Sequence, residues 1–131
     1  MKVLIAGSMV MKNAGIIFAK ACVRWALERG HTVVVGDNPL GVDKAVISEC
    51  DILNVPHEVY WTEKLRYSRR SSLCYKVHVA DFRGRHTLRD RHMCELADIG
   101  IFIWNGDSHG TLKGYDYMKS LGKDAHLRKF K

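Results

Sequence analysis

At 131 residues, 47% hydrophobic and 27% charged, the chain has the size and composition of one soluble globular domain that can bury a core without disulfides or metal. No apolar run approaches the roughly 18 residues of a membrane span, and MKVLIAG at the start is too short for a secretory apolar region; no membrane contact and a cytoplasmic location are expected. The net charge of +7 is uneven: residues 61–92 hold nine Lys and Arg against three Asp and Glu, a net +6, leaving +1 on the other 99, so any anionic partner is expected along that stretch.

In chain order, KVLIA (2–6) is a continuous apolar run of the kind central parallel strands show. Gly7 and Ser8 follow, then a helix from about Ala14 to Arg29 with Ile16, Ala19, Val23, Ala26 and Leu27 at helical spacing, closed by Gly30. HTVVVG (31–36) is a second strand, DNPLG a turn, and residues 42–54 a second helix. HEVYW (57–61) is a third strand. Residues 62–83 are consistent with a short strand around KVHVA (76–80), a helix or a basic loop. A helix over 87–97, the strand DIGIFIW (98–104), a helix over 111–121 closed by Gly122, and a last strand AHLRKF (125–130) complete the chain. Cys22, Cys50, Cys74 and Cys94 lack the close pairing of zinc ligands and read as reduced thiols.

Strands alternating with helices imply right-handed crossovers. The expected fold class is α/β, a Rossmann-like three-layer α/β/α sandwich with a mostly parallel sheet of about five strands. Ligands of such sheets bind beyond the carboxyl ends of the strands, where the strand order reverses. The loops 7–13, 36–43 and 104–111 should meet there. Gly7, Gly36, Gly41, Gly106 and Gly110 let backbone N–H groups approach a phosphate closely, and a helix N-terminus adds the positive end of its dipole. GSMVMKN is neither a dinucleotide-binding G-x-G-x-x-G nor a Walker A loop, and no motif calls for a cofactor or a metal. Asp37 and Asn38 suit a ribose hydroxyl or a base, whereas Asp43, in a first helical turn, reads as a helix stabiliser. Ser108 or Thr111 is a candidate cap for the last helix, and Trp104 either stacks on a base or fills the end of the sheet.

These segments together (KVLIAGS, the glycine loop running into GVDKAVISECDILNVPHEVY, LRDRHMCELADIGIFIW and NGDSHGTLKGYDYMKSLGK) resemble the SLOG superfamily in order. Within it they are most similar to the YspA-like branch, among Rossmann-like relatives of DprA and of the LOG phosphoribohydrolases. The matching positions are Gly7, Ser8, Gly36, Gly41, Asp43, Arg89, Met93, Trp104, Gly106, Ser108, Gly110 and Thr111. The resemblance implies one SLOG-like domain over 1–131 and a nucleotide-derived ligand with its phosphate near Gly110 and Thr111. It makes Arg89 a natural charge partner, because a guanidinium binds phosphate bidentately, and by analogy it implies a homo-oligomer.

One departure bears on chemistry. LOG hydrolases carry a glutamate three residues after the loop threonine; here that position is Gly114. Asp116 lies about 200° further round an ideal helix. The expected function is therefore binding, by sensing or sequestering a nucleotide-derived molecule. An enzyme cleaving an N-glycosidic or phosphate bond is the alternative, and would draw its acid or base from Asp37, Glu95, Asp107 or His109. A second alternative is DprA-like single-stranded nucleic-acid binding along 61–92, where Tyr60, Trp61, Tyr67, Tyr75 and Phe82 interleave with the charge.

Overall fold

The computed structural model describes residues 1–68, 72–77 and 85–131. It is an α/β fold, a Rossmann-like three-layer sandwich. In chain order the elements are β1 (Lys2–Gly7), α1 (Asn13–Glu28), β2 (Thr32–Gly36), α2 (Gly41–Leu53), β3 (His57–Trp61), β4 (Ser72–Lys76), α3 (Arg85–Leu96), β5 (Ile99–Trp104), α4 (His109–Ser120) and β6 (Asp124–Lys129). The strands form one sheet in the order β4-β3-β2-β1-β5-β6, and every neighbouring pair is parallel.

The alternation of side chains along each strand decides which helix it meets. Val3 and Ile5 of β1, Val33 and Val35 of β2, Val59 of β3 and Ile103 of β5 turn to one face, where Ala19, Val23 and Ala26 of α1 and Val42, Val46 and Ile47 of α2 cover them. Leu4, Val34, Tyr60 and Phe102 turn to the other, against Met93 and Cys94 of α3 and Met118 of α4. The helices after β1 and β2 thus lie on one side, and those around β5 on the other. The chain reverses its direction of travel between β1 and β5, and the crevice this opens at the strands' carboxyl ends is the structural basis of the site.

The sheet has six strands rather than about five. The additional strand, β4, occupies 72–76, ahead of the expected 76–80; residues 78–84, on which the remainder of that expectation falls, lie outside the described residues. β4 is hard to see in sequence because Leu73 and Tyr75, the larger apolar residues on its outer course, are exposed, so no buried apolar run marks it. Its identity comes from pairing with β3, from His57↔Ser72 to Trp61↔Lys76. No helix among the described residues is long and apolar enough to cross a membrane.

Candidate functional site

The three expected loops do converge. A cavity of about 250 Å³ opens between the carboxyl ends of β1 and β5 and the helix α3, just below the usual range for ligand pockets, about 300–1,000 Å³. Its floor is apolar: Leu4, Ala6, Met93 and Phe102. One wall is the start of α4, with Ser108, Gly110 and Thr111; the opposite wall holds Asn38, Asp43, Arg66 and Arg89.

The α4 wall is built by the loop Trp104–Thr111, and its organiser is Asn105. The Asn105 side-chain carbonyl accepts the N–H groups of Asp107 (2.8 Å) and Ser108 (2.9 Å), while its amide donates to the Val10 carbonyl (3.0 Å). Its own backbone N–H donates to Ser8 Oγ (3.1 Å). Gly106 takes the left-handed φ of 92° that this turn demands. The Trp104 indole N–H donates to the Ser108 carbonyl (2.8 Å), and Lys129 Nζ sits 5.3 Å from the ring centroid. Trp104 thus pins the loop from outside and does not line the cavity.

The expected cap of α4 is corrected. Ser108 occupies the N-cap position, but no side-chain cap bond forms. Its hydroxyl instead meets Thr111 Oγ1 (3.2 Å), which also faces Ser8 Oγ (3.4 Å). Three hydroxyls are thereby strung together, and among the described residues no side chain occupies the first-turn amides of α4. Gly7 is required beside them: a Cβ there would stand 2.5 Å from Val42 Cγ2 and 2.6 Å from the Ile103 carbonyl. Gly41, at φ 71°, similarly lets α2 begin against the backbone of Ser8 and Met9.

On the opposite wall lies a buried ion network. Asp37, 1% exposed, accepts Arg89 Nη1 (2.9 Å), Arg66 Nη2 (3.0 Å) and the Arg66 backbone N–H (2.9 Å). Arg89, itself buried, also donates through Nη2 to Asp90 (2.9 Å). Asp37 is therefore the anchor of two arginines and does not line the cavity, and Arg89 reaches the cavity already paired. Flanking carboxylates raise its pKa further and outweigh the opposing effect of burial. Gly36 leaves the room this needs, since a Cβ would lie 2.7 Å from Asp43 Oδ2 and 3.1 Å from Arg89 Cζ.

Asp43 is more than a helix stabiliser. It is in the first turn of α2, yet buried and on the cavity wall. Its Oδ2 accepts the Asn38 backbone N–H (3.2 Å). Burial pushes its pKa up to about 6, against the opposing pull of Arg89. Asn38 Oδ1, buried on the same wall, has no partner among the described residues.

Other expected participants lie elsewhere. Glu95 is exposed on α3 and accepts the Tyr117 hydroxyl (2.6 Å); Asp107 and His109 are exposed, and none of the three lines the cavity. Gly114 faces the sheet, where a Cβ would come within 3.0 Å of Phe102 Cε1, so a larger side chain at this position meets the core. Cys94 lines the cavity floor, its thiol donating to the Gly114 carbonyl (3.6 Å) and pushed up by burial to about 12. Such a thiol is not an available nucleophile. Among the described residues no three His, Cys, Asp or Glu side chains gather as metal ligands.

Much of the basic stretch is used internally. Arg66 and Arg89 pair with Asp37, Lys76 lies over the Trp61 ring (5.2 Å) and Arg91 over that of Tyr117 (5.1 Å). Tyr60 is buried and stacked on Tyr75 (5.3 Å), and the Tyr67 hydroxyl meets Ser48 (2.9 Å). Arg69, Arg70, Phe82 and Arg83 fall outside the described residues. Sequence reasoning missed Asn105, Arg66 and Asp90. An Asn-Gly pair directly after a strand is the one signal that marks Asn105 as a turn organiser.

No protein-family model and no curated protein matches the chain. Several solved structures share its fold, among them three that show its range. DNA processing protein A from Helicobacter pylori, described for its single-stranded DNA binding mode, is 17% identical with a TM-score of 0.71 over 97% of this chain. The chain spans 64% of that protein's length. The molybdenum cofactor binding protein from Rippkaea orientalis is 12% identical, with a TM-score of 0.81 over 99% of this chain and 77% of that one. The molybdenum cofactor carrier protein from Chlamydomonas reinhardtii is 11% identical, with a TM-score of 0.75 over 96% and 74%.

Proposed function

We propose that the chain is a SLOG-type binding protein that holds a phosphate-bearing, nucleotide-like small molecule in the cavity between α3 and the start of α4. One observation carries this reading: among the described residues the first-turn amides of α4 are free of any side-chain cap and open beside the Ser8–Thr111–Ser108 hydroxyls. A helix N-terminus so exposed favours an anion through its N–H groups and dipole. Arg66 and Arg89 bring guanidinium donors to the opposite wall, their charge already answered by Asp37 and Asp90, and the apolar floor of Leu4, Met93 and Phe102 suits the face of a heterocycle.

Binding without turnover fits the wall better than catalysis. The position where LOG hydrolases place their glutamate is Gly114, turned into the core, and the acids suggested from sequence are exposed away from the cavity or locked under arginines. That the similar structures belong to proteins named for ligands as different as single-stranded DNA and molybdenum cofactor supports a fold that carries binding crevices, with the ligand set by the local wall.

The test is a thermal-shift and calorimetric panel of ribose 5-phosphate, AMP, GMP, ADP-ribose and NAD. At least one phosphate-bearing compound should raise the melting temperature, while its unphosphorylated counterpart does not. No shift with any of them would overturn the proposal. A single-stranded oligonucleotide titrated at low salt is the second arm, since phosphate-backbone binding weakens steeply as salt rises.

A further inference from the structure

We propose that Asp43 selects the sugar of the bound molecule: its free carboxylate oxygen accepts a hydroxyl of a ribose whose 5-phosphate lies at the start of α4, so that the site holds ribose in preference to deoxyribose. The inference rests on the phosphate site proposed above and adds to it the residue that reads the next part of the ligand.

Asp43 is set into the cavity wall by its own helix. It stands in the first turn of α2, is 5% exposed, and lines the cavity. Its Oδ2 is committed: it accepts the Asn38 backbone N–H at 3.2 Å and lies over Gly36, where a Cβ would come within 2.7 Å. Among the described residues Oδ1 has no donor. Arg89, whose charge acts on Asp43, gives its N–H groups to Asp37 and Asp90 instead, and Arg66 gives its own to Asp37. Asn38 Oδ1, on the same wall, likewise has no partner among the described residues. A buried carboxylate short of donors is costly, and the same burial lifts the Asp43 pKa to about 6. A ligand group that donates to Oδ1 offsets that cost.

Distance along the ligand decides which donor this is. In a nucleotide the ribose hydroxyls are separated from the phosphate by the sugar alone, whereas the N–H groups of the base lie beyond the glycosidic bond. The phosphate wall of Ser108, Gly110 and Thr111 and the carboxylate of Asp43 border one cavity of about 250 Å³, below the usual size of a pocket for a whole ligand and on the scale of a phosphosugar. The other acids nearby are spent: Asp37 anchors two arginines outside the cavity lining, and Asp90 is bonded to Arg89. A site built to hydrogen-bond a hydroxyl rejects the analogue that lacks it, because its own buried group is left unpaired.

Isothermal titration of ribose 5-phosphate and AMP, each beside its 2-deoxy and 3-deoxy counterparts, tests this at about pH 7.5, above the pKa of Asp43. Wild type should bind the ribose compounds about tenfold or more tightly than at least one deoxy counterpart, as for a hydrogen bond to a charged group. In Asp43→Asn, whose Oδ1 can keep the Asn38 N–H while an amide nitrogen replaces the free oxygen, that ratio should fall several-fold. In Asp43→Ala it should fall to about one; should the alanine variant lose its fold by circular dichroism, the asparagine variant decides alone. Thr111→Val acts on the phosphate end and should weaken ribose and deoxyribose compounds alike, leaving the ratio intact. Equal affinity of wild type for both kinds of sugar would overturn the assignment and leave the phosphate site standing. So would a ratio that survives undiminished in the Asp43 variants. Binding of none of these compounds to wild type would instead remove the phosphate reading itself, and this inference with it.

Discussion

Asp37 and Asp43 stand six residues apart with opposite electrostatic roles. Asp37 is answered by two guanidinium groups. Removing one member of a buried pair leaves the other charge uncompensated, at a cost of about 3–5 kcal/mol. Asp37→Ala should therefore lower the urea-unfolding free energy by about that amount, and a loss under about 1 kcal/mol would show the network to be dispensable. Asp43 binds its proton more tightly folded than unfolded, with a pKa near 6 against an ordinary 3.8. Its contribution to stability is fully present below about pH 4 and is lost as the pH rises through 6. The isosteric Asp43→Asn keeps a neutral group at every pH. It should gain on wild type by up to about 3 kcal/mol between pH 4 and 7, read as the difference between two denaturation series; a gap independent of pH would contradict the assignment. Neither role was legible in sequence, because an acid at the end of a strand, like Asp37, or in a first helical turn, like Asp43, looks the same exposed or buried. What distinguishes them is Arg89, 52 positions along from Asp37, brought in by α3.

At the scale of elements, the loop after β5 is held by a few named bonds. Asn105→Ala removes two accepted N–H bonds and one donated bond. At about 1 kcal/mol each it should cost about 2–3 kcal/mol and speed hydrogen exchange at the Asp107 and Ser108 amides; unchanged exchange there would show that the backbone holds the turn without it. The four helices and five of the six strands are legible in sequence to within two residues, because apolar periodicity and the glycines after α1 and α4 mark them. Gly30 and Gly122 both take the left-handed conformation, at φ 69° and 73°. β4 is not legible in its place, because its apolar side chains are exposed and its only signature is a ladder to β3. The α4 cap was misjudged for a related reason: a serine at an N-cap position looks like a cap until the Thr111 hydroxyl, itself facing Ser8, takes up its hydroxyl.

For the whole molecule, the reversal of strand order between β1 and β5 turns three separate loops into one cavity with the start of α4 on one wall and the paired arginines Arg66 and Arg89 on the other. The location follows from sequence, since a run of alternating strands and helices fixes where their carboxyl ends gather. The identity of the ligand does not, because it depends on which walls face one another across about 250 Å³. The most direct measurement is isothermal titration of ribose 5-phosphate and AMP into wild type and into Thr111→Val. Valine keeps the shape of threonine and removes the hydroxyl central to the Ser8–Thr111–Ser108 string. The account predicts saturable binding of at least one of the two to wild type, weakened about tenfold or more in the variant, as expected for a hydrogen bond to a charged group. Absence of binding to wild type, or equal affinity in both proteins, would contradict a phosphate site at the start of α4.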